Sequence, residues 1–151
     1  MSRILQLSET VINKPSLLKK AIELINDLKK YQPIEATFIQ DETGRITGGR
    51  FHYATAQSQY ARGHIILKYN GQGKPAYTPE DVLMNGHFTL VGDEDFREND
   101  VLAGIIGDHY LAAVANETLE EAGYATEFVY GENGAIEVTG IESTDVVVSN
   151  Y

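Results

Sequence analysis

The sequence predicts an α+β domain in which a mixed or antiparallel sheet carries two main helices on one face and ends in a C-terminal hairpin. Three observations predict it: two segments have helical periodicity, the other segments alternate like strands, and turn residues separate those strands. Strictly repeated strand–helix units, which a doubly wound parallel sheet needs, are absent. We expect one domain over residues 1–142, with residues 143–151 as a tail or edge strand.

The chain begins with a short strand and a helix. Residues 3–7 (RILQL) favour the strand. Residues 15–31 place apolar side chains at three- and four-residue spacing opposite a lysine-rich face, which predicts an amphipathic helix. Pro15 suits its first turn, and the helix should end before Gln32-Pro33 because the residue preceding a proline avoids helical backbone.

The middle of the chain alternates and predicts strands. A hairpin is expected around the turn Asp41–Gly44, and Gly48-Gly49 indicates a bulge or tight bend in its second strand. Residues 64–69 (HIILKY) and 81–92 (DVLMNGHFTLVG) predict two further strands.

The last third predicts a helix and a hairpin. We expect Asn99 or Asp100 to cap the helix, and Gly123 to supply the left-handed residue that follows a helix end. Residues 125–141 alternate around the turn GENG. Two internal glycines weaken the helix by roughly 1 kcal/mol each relative to alanine and therefore indicate close packing against it: Gly104 and Gly107.

Composition excludes several kinds of chemistry. The chain has no cysteine, so disulfides, thiolate zinc sites and cysteine nucleophiles are impossible, and a metal would have to rely on histidines and carboxylates. We expect no metal and no cofactor. The sequence has no signal-peptide pattern and no run of about 18 apolar residues, which favours the cytoplasm and gives no reason to expect a membrane partner.

Charge is distributed unevenly along the chain. Residues 1–74 contain eleven of the twelve Lys and Arg against six acids, whereas residues 75–151 contain only Arg97 against sixteen acids. The formal net charge of −10 disfavours general binding of duplex nucleic acid, because that affinity depends on neutralising phosphates.

Histidines give one candidate catalytic set. His87 and Thr89, in NGHFTLVG, match half of the paired His-x-Thr/Ser signature of two-histidine phosphoesterases, and His52 and His64 are candidates for the second imidazole. The alternative is a strand that places His87 and Thr89 on one face and apolar residues on the other. Walker, EF-hand and serine-hydrolase motifs are all incomplete.

Basic and acidic clusters give candidate binding residues. Arg45, Arg50, Arg62 and Lys68 are interleaved with aromatic residues such as Tyr60, a pattern suited to a nucleotide or to single-stranded nucleic acid. The alternative is an amphipathic sheet whose aromatic residues face the helices. The acidic run DEDFREND offers candidate partner-binding residues: Asp93, Glu94 and Asp95.

The leading hypothesis is a non-enzymatic binding or accessory protein. It would act through its acidic C-terminal half and more basic N-terminal half, either as a homo-oligomer or with a larger protein machine, and acidic inhibitors of the phage type are a special case. The two alternatives are a small phosphoesterase or nucleotide-binding protein that uses His87 and Thr89, and a single-stranded nucleic-acid binder that uses the basic hairpins.

Three segments resemble a small protein family of uncharacterised function that is encoded by cyanobacteria, some plastid genomes, other bacteria and phages. They are MSRILQLSETVINKPSLLKKAIELI, NGHFTLVGD and DHYLAAVANETLEEAGYATEFVYGENGAIEVTGI. The resemblance implies a short strand, an early Leu- and Lys-rich helix, a central strand, and a second helix that leads into a hairpin. It implies no catalytic residues, and the basic middle of this chain (40–80) is longer than the family pattern.

Overall fold

The computed structural model describes residues 4–55, 58–70, 87–93 and 95–142, without the side chains of 55, 58–62, 97 and 142. The α+β prediction is confirmed, and the predicted tail at 143–151 lies outside the described residues. The elements in chain order are β1 (Ile4–Gln6), a 3-10 turn (Pro15–Leu17), α1 (Leu18–Leu28), β2 (Glu35–Gln40), β3 (Ile46–Thr55), β4 (Ser58–Tyr69), β5 (Phe88–Asp93), α2 (Arg97–Glu121), β6 (Tyr124–Tyr130) and β7 (Ile136–Glu142).

The strands form two sheets. Five of them pair in the order β1-β5-β4-β3-β2, while β6 and β7 pair only with each other among the described strands. Every pairing in the described ranges is antiparallel, so the mixed alternative does not apply there. Strand β1 lies against β5, which leads directly into α2.

The core lies between the five-stranded sheet and the two helices. One face of the sheet, called the inner face, presents buried side chains to α1 and α2: Phe51, Tyr53, Ile65, Leu67, Phe88 and Leu90. The helices contribute the other half of this core: Leu18, Ala21, Ile22, Ile25, Leu102, Ala103, Ile106 and Tyr110. Because burying one large apolar side chain contributes roughly 1.5–3 kcal/mol, this layer is the main source of stability. The opposite, outer face presents His52, His64 and Lys68, which alternate with the inner residues.

The first helix is shorter than the sequence predicts. The prediction spanned residues 15–31, but residues 15–17 form a 3-10 turn, and Lys29 ends α1 in a left-handed conformation at φ 54°. The reason is a contact across the connection: the Asn26 amide donates to the Ile34 carbonyl and accepts from the Ile34 N–H, both at 2.9 Å. This contact draws the chain back over the helix end.

The predicted turns are confirmed where glycine supplies positive φ. Gly44 (φ 85°), Gly123 (φ 93°) and Gly134 (φ 83°) close the β2–β3 turn, the end of α2 and the β6–β7 turn. In the first turn the Asp41 carboxylate accepts from the Thr43 hydroxyl and from backbone N–H groups, and these hydrogen bonds hold the pKa of Asp41 below its usual value.

The start of α2 differs from the prediction. The helix begins at Arg97, and neither Asn99 nor Asp100 caps it. Asn99 is fully buried in the first turn, where its amide donates to the Asp93 carbonyl at 3.1 Å and its side-chain oxygen accepts from the Tyr53 hydroxyl. Asn99 therefore joins α2 to two strands instead of capping it. Burial and the nearby Glu98 carboxylate raise the pKa of Tyr53 to about 12.

Of the two glycines inside α2, only one meets a close neighbour. A Cβ at Gly107 would lie 2.6 Å from the Thr10 hydroxyl, so the close packing predicted there is confirmed. At Gly104 the prediction is wrong, because a Cβ there would meet nothing within 4 Å. None of the described helices combines the length and hydropathy needed to cross a lipid bilayer.

Candidate functional site

His87 and Thr89 do not form an open site. Thr89 is only 3% exposed, and its hydroxyl accepts a hydrogen bond from the Asn70 amide at 2.7 Å. Every residue from Phe88 to Gly92 is buried. The Thr89 hydroxyl is therefore enclosed in the fold and not presented to a phosphate in solution.

The structure brings together two other histidines, His52 and His64. They are direct partners in the pairing of β3 with β4, and their Nδ1 atoms are 3.4 Å apart. Their rings are nearly perpendicular, at 85°. The pairing of β4 with β5 places Asp93 level with His64. His87 lies six residues before Asp93, so at roughly 3.4 Å per residue His87 is about 20 Å from His64. The predicted set of His87 with His52 or His64 is not formed.

Acidic residues flank this pair along one row of the outer face. Glu35 of β2 is the register partner of His52, and the pairing of β4 with β5 brings Asp93 level with His64. Desolvation of the ring, His52 and Arg50 hold the pKa of His64 below its usual value, while Asp93 opposes that shift, although the residue as a whole is exposed. This shift favours the neutral form of the His64 imidazole. In the described ranges, no group of three or more His, Asp or Glu side chains is placed to hold a metal ion.

The predicted basic ligand-binding residues are only partly brought together. Arg50 and Lys68 are exposed on the outer face. Arg45 lies in the β2–β3 turn, where its backbone N–H donates to the Asp41 carboxylate at 3.1 Å. The side chains of Tyr60 and Arg62 lie outside the described residues.

Aromatic side chains near the basic residues face the helices. Phe51 and Tyr53 are buried in the core, and the ring centroid of Tyr69 lies 5.2 Å from that of Phe88 on the inner face. These rings lie on the inner face, as the amphipathic alternative predicts, and those of Phe51 and Tyr53 are too buried to stack on bases.

The predicted acidic partner-binding residues have different environments. The Asp93 carboxylate accepts from the Asp95 N–H at 2.9 Å, and its carbonyl accepts from Asn99, so Asp93 shapes the turn between β5 and α2. Asp95 is exposed. Glu94 lies outside the described residues.

A buried pair that sequence reasoning missed lies between α2 and the C-terminal hairpin. His109 is 4% exposed, and its Nδ1 lies 2.7 Å from the Ile105 carbonyl. Because a carbonyl only accepts, Nδ1 carries the proton, and Nε2 lies within hydrogen-bonding distance of the Tyr130 hydroxyl, at 3.1 Å. Burial, with smaller effects from Asp27 and Tyr31, raises the pKa of Tyr130.

This pair borders a cavity of about 260 Å³, whose polar lining includes Lys30, Asp108 and Glu132. The volume is below the range typical of drug-sized ligands. The burial of His109 could have been predicted from helical periodicity, which places it next to the core positions Ile106 and Tyr110 on α2.

A second cavity, of about 320 Å³, lies at the start of α2 and is mostly apolar. We call it the Glu98 pocket; its lining residues are Tyr31, Gln32, Tyr53, Ala54, Glu98, Val101 and Leu102. One carboxylate oxygen of Glu98 is buried and has no hydrogen-bond partner within the described part of the chain. A buried acceptor without a partner is costly, so this oxygen favours a donor from another molecule.

The outward side of α2 continues from this pocket. Val101 is 61% exposed and Leu111 is 52% exposed, and the exposed Gly104, Asp108 and Ala115 complete the same side at three- and four-residue spacing. We call these five residues the α2 stripe. Apart from Asp108 it consists of apolar or small residues, although the helix already buries its opposite side in the core.

Among the described residues, elements of the basic and acidic halves lie side by side. The helix from the basic half, α1, packs beside α2 from the acidic half. Lys14 and Glu117 form an ion pair at 2.7 Å, and this hydrogen bond raises the pKa of Lys14. This ion pair joins the segment before α1 to α2.

Comparisons of the chain with protein-family models, with curated protein sequences and with solved structures give no match.

Proposed function

We propose that the protein is a non-enzymatic accessory protein that binds a basic protein partner through the Glu98 pocket and the α2 stripe. The observation that carries the proposal is the buried Glu98 oxygen that lacks a partner beside exposed apolar residues.

The Glu98 pocket suits the side chain of an arginine or lysine. The aliphatic part of such a side chain would pack against Val101 and Leu102, while its cationic end would donate to the Glu98 carboxylate. Arginine is common among the residues that contribute most to protein interfaces, because it combines apolar area with several donors. The pocket thus provides an anchor point for a basic partner.

The α2 stripe suits a helix of that partner. Val101 and Leu111 offer apolar contacts, and the small residues Gly104 and Ala115 allow a second helix to approach closely. Asp108 lies in the middle of the stripe. An apolar partner would bury its carboxylate without a counter-ion, whereas a basic partner would supply one.

The surrounding charge favours the same kind of partner. Exposed acids lie at the start, middle and end of α2, so the surface around the stripe carries negative charge, which Lys14 and Lys30 partly offset. Such a field accelerates association with basic partners and repels acidic ones, which makes pairing of two α2 stripes from two copies unfavourable. The exposed acids of α2 and its neighbouring segments are Asp95, Asp100, Asp108, Glu120, Glu121, Glu127, Glu132 and Glu137.

Site-specific photocrosslinking in cells of the organism that makes the protein tests the proposal. A photoreactive amino acid replaces Leu111 in one variant and Ile39, which is 55% exposed on the outer face, in a matched control. We expect a discrete adduct with a basic protein from position 111 and not from position 39. Absence of any adduct at 111, equal adducts from both positions, or an adduct only with a second copy of this chain would overturn the proposal.

Two substitutions then test the chemistry with the captured partner. Glu98→Gln removes the carboxylate charge in the pocket, and Asp108→Lys reverses the charge in the stripe. We expect each to weaken binding at least about tenfold, a loss that corresponds to 1.4 kcal/mol, and the effect of Asp108→Lys to shrink as salt is raised. Unchanged affinity in both variants would refute the assignment of this surface.

A further inference from the structure

We propose that His52 and His64 form a binding site for a divalent transition-metal ion, with zinc the best fit, on the outer face of the sheet. This inference is independent of the proposed function, because the outer face lies on the other side of the sheet from α2.

The distance between the two nitrogens is the first argument. The Nδ1 atoms of His52 and His64 are 3.4 Å apart. Two nitrogens bound at about 2.05 Å to one tetrahedral ion are about 3.3 Å apart, whereas two at right angles on a square plane are about 2.9 Å apart. The observed separation thus matches the edge of a tetrahedral site and favours zinc.

The sheet fixes the backbone positions of the two residues without a bound ion, and the 3.4 Å contact between the rings is also within hydrogen-bonding distance. His52 and His64 are direct register partners, and their strands are also paired on the far sides, β3 with β2 and β4 with β5. Backbone pairing on both sides fixes the Cα positions, so little ordering is needed when an ion binds. His64 is exposed and His52 is half-buried, which leaves the pair open to solvent.

The chemistry around the pair is the second argument. Glu35 and Asp93 lie at the two ends of the row, where their carboxylates favour a cation, although Arg50 partly offsets them. A ring nitrogen binds a metal ion when it carries no proton. With two protein ligands, the remaining positions of a four-coordinate ion are open to water or to an external ligand.

Calorimetric titration with zinc chloride tests the site on protein without a histidine tag, in a non-chelating buffer near pH 7.5. We expect one ion per chain, and a loss of at least about tenfold in affinity in each of His52→Ala and His64→Ala. His87→Ala is the matched control, since His87 is a half-buried histidine about 20 Å from the pair, and it should bind as the wild type does.

Nitrogen-15 spectra of the histidine rings give a second readout. Zinc should shift the Nδ1 resonances of His52 and His64 and leave those of His109 unchanged, since His109 Nδ1 is engaged by the Ile105 carbonyl. Absence of zinc binding in the wild type, retained binding in both alanine variants, or loss of binding in His87→Ala would overturn the inference. Circular dichroism of each variant confirms that the fold is intact.

Discussion

Removal of one hydroxyl group tests the buried contact that ties the sheet to α2. Tyr53 on β3 is 1% exposed and donates to Asn99 of α2, which is fully buried. Tyr53→Phe keeps the aromatic ring in place and removes only the donor. The Asn99 side-chain oxygen then stays buried without this partner, while its amide still donates to the Asp93 carbonyl.

The expected cost follows from that geometry. A buried polar group left without its partner costs about 1–3 kcal/mol. For a domain of this size, each kcal/mol lowers Tm by roughly 2–4 °C, so Tyr53→Phe should lower Tm by roughly 2–12 °C. Alkaline pH adds a second signature. Because the pKa of Tyr53 is about 12 in the folded state against an ordinary value of 10.0, its contribution is present below pH 10 and is lost as pH rises towards 12.

Urea unfolding followed by circular dichroism measures the effect, with Tyr124→Phe as the control for loss of a half-buried hydroxyl outside this network. A double-mutant cycle with Asn99→Ala should give a coupling energy of about 0.5–3 kcal/mol. If the free energy of unfolding of Tyr53→Phe lies within about 0.5 kcal/mol of the wild-type value and the cycle gives no coupling, the contact does not stabilise the protein as described.

Three single substitutions test local packing and charge. A Cβ at Gly63 would lie 2.2 Å from the Tyr53 ring, so Gly63→Ala should destabilise the fold by about 1–3 kcal/mol in urea unfolding. Gly104→Ala meets open space within a helix and should raise stability by about 0.4–1 kcal/mol, seen as a higher Tm. The folded pKa of His64 is below 6.5, so the wild type should lose stability as pH falls from 6.5 through that lower pKa, and His64→Gln should flatten this slope. If the urea midpoint changes equally in the wild type and in His64→Gln between about pH 7 and 5.5, the prediction for His64 is contradicted. A lower Tm of Gly104→Ala would contradict the prediction for Gly104.

Periodicity and turn chemistry predicted most of the fold. The Leu and Ile spacing of α1, the strand signals of β2 to β4 and the glycines at Gly44, Gly123 and Gly134 are local signals, and the structure confirms each. The strand predicted at 81–92 is confirmed for residues 88–92, and residues 81–86 lie outside the described residues. The errors arose where a distant contact decides. Asn26 ends α1 by binding Ile34, and Asn99 turns towards Tyr53 instead of capping α2.

The candidate sites depended more on tertiary structure. Alternation places His52 and His64 each on one face of a strand, but only the register of β3 with β4 makes them direct partners. The contact of His109 with Tyr130 requires the hairpin to pack on α2, and the unpartnered oxygen of Glu98 depends on the surrounding pocket. No sequence motif encodes either arrangement. The family resemblance, the cytoplasmic location and the nature of the partner stay predictions.

The separation of β6 and β7 from the larger sheet has a consequence for dynamics. Among the described strands these two hydrogen-bond only to each other, and they pack chiefly on α2. A two-stranded ribbon is marginally stable alone, so it can detach from the helix while the five-stranded sheet stays intact. Amide protons of residues 124–142 should therefore exchange with deuterium through local opening, well before those of β3 and β4 exchange through global unfolding.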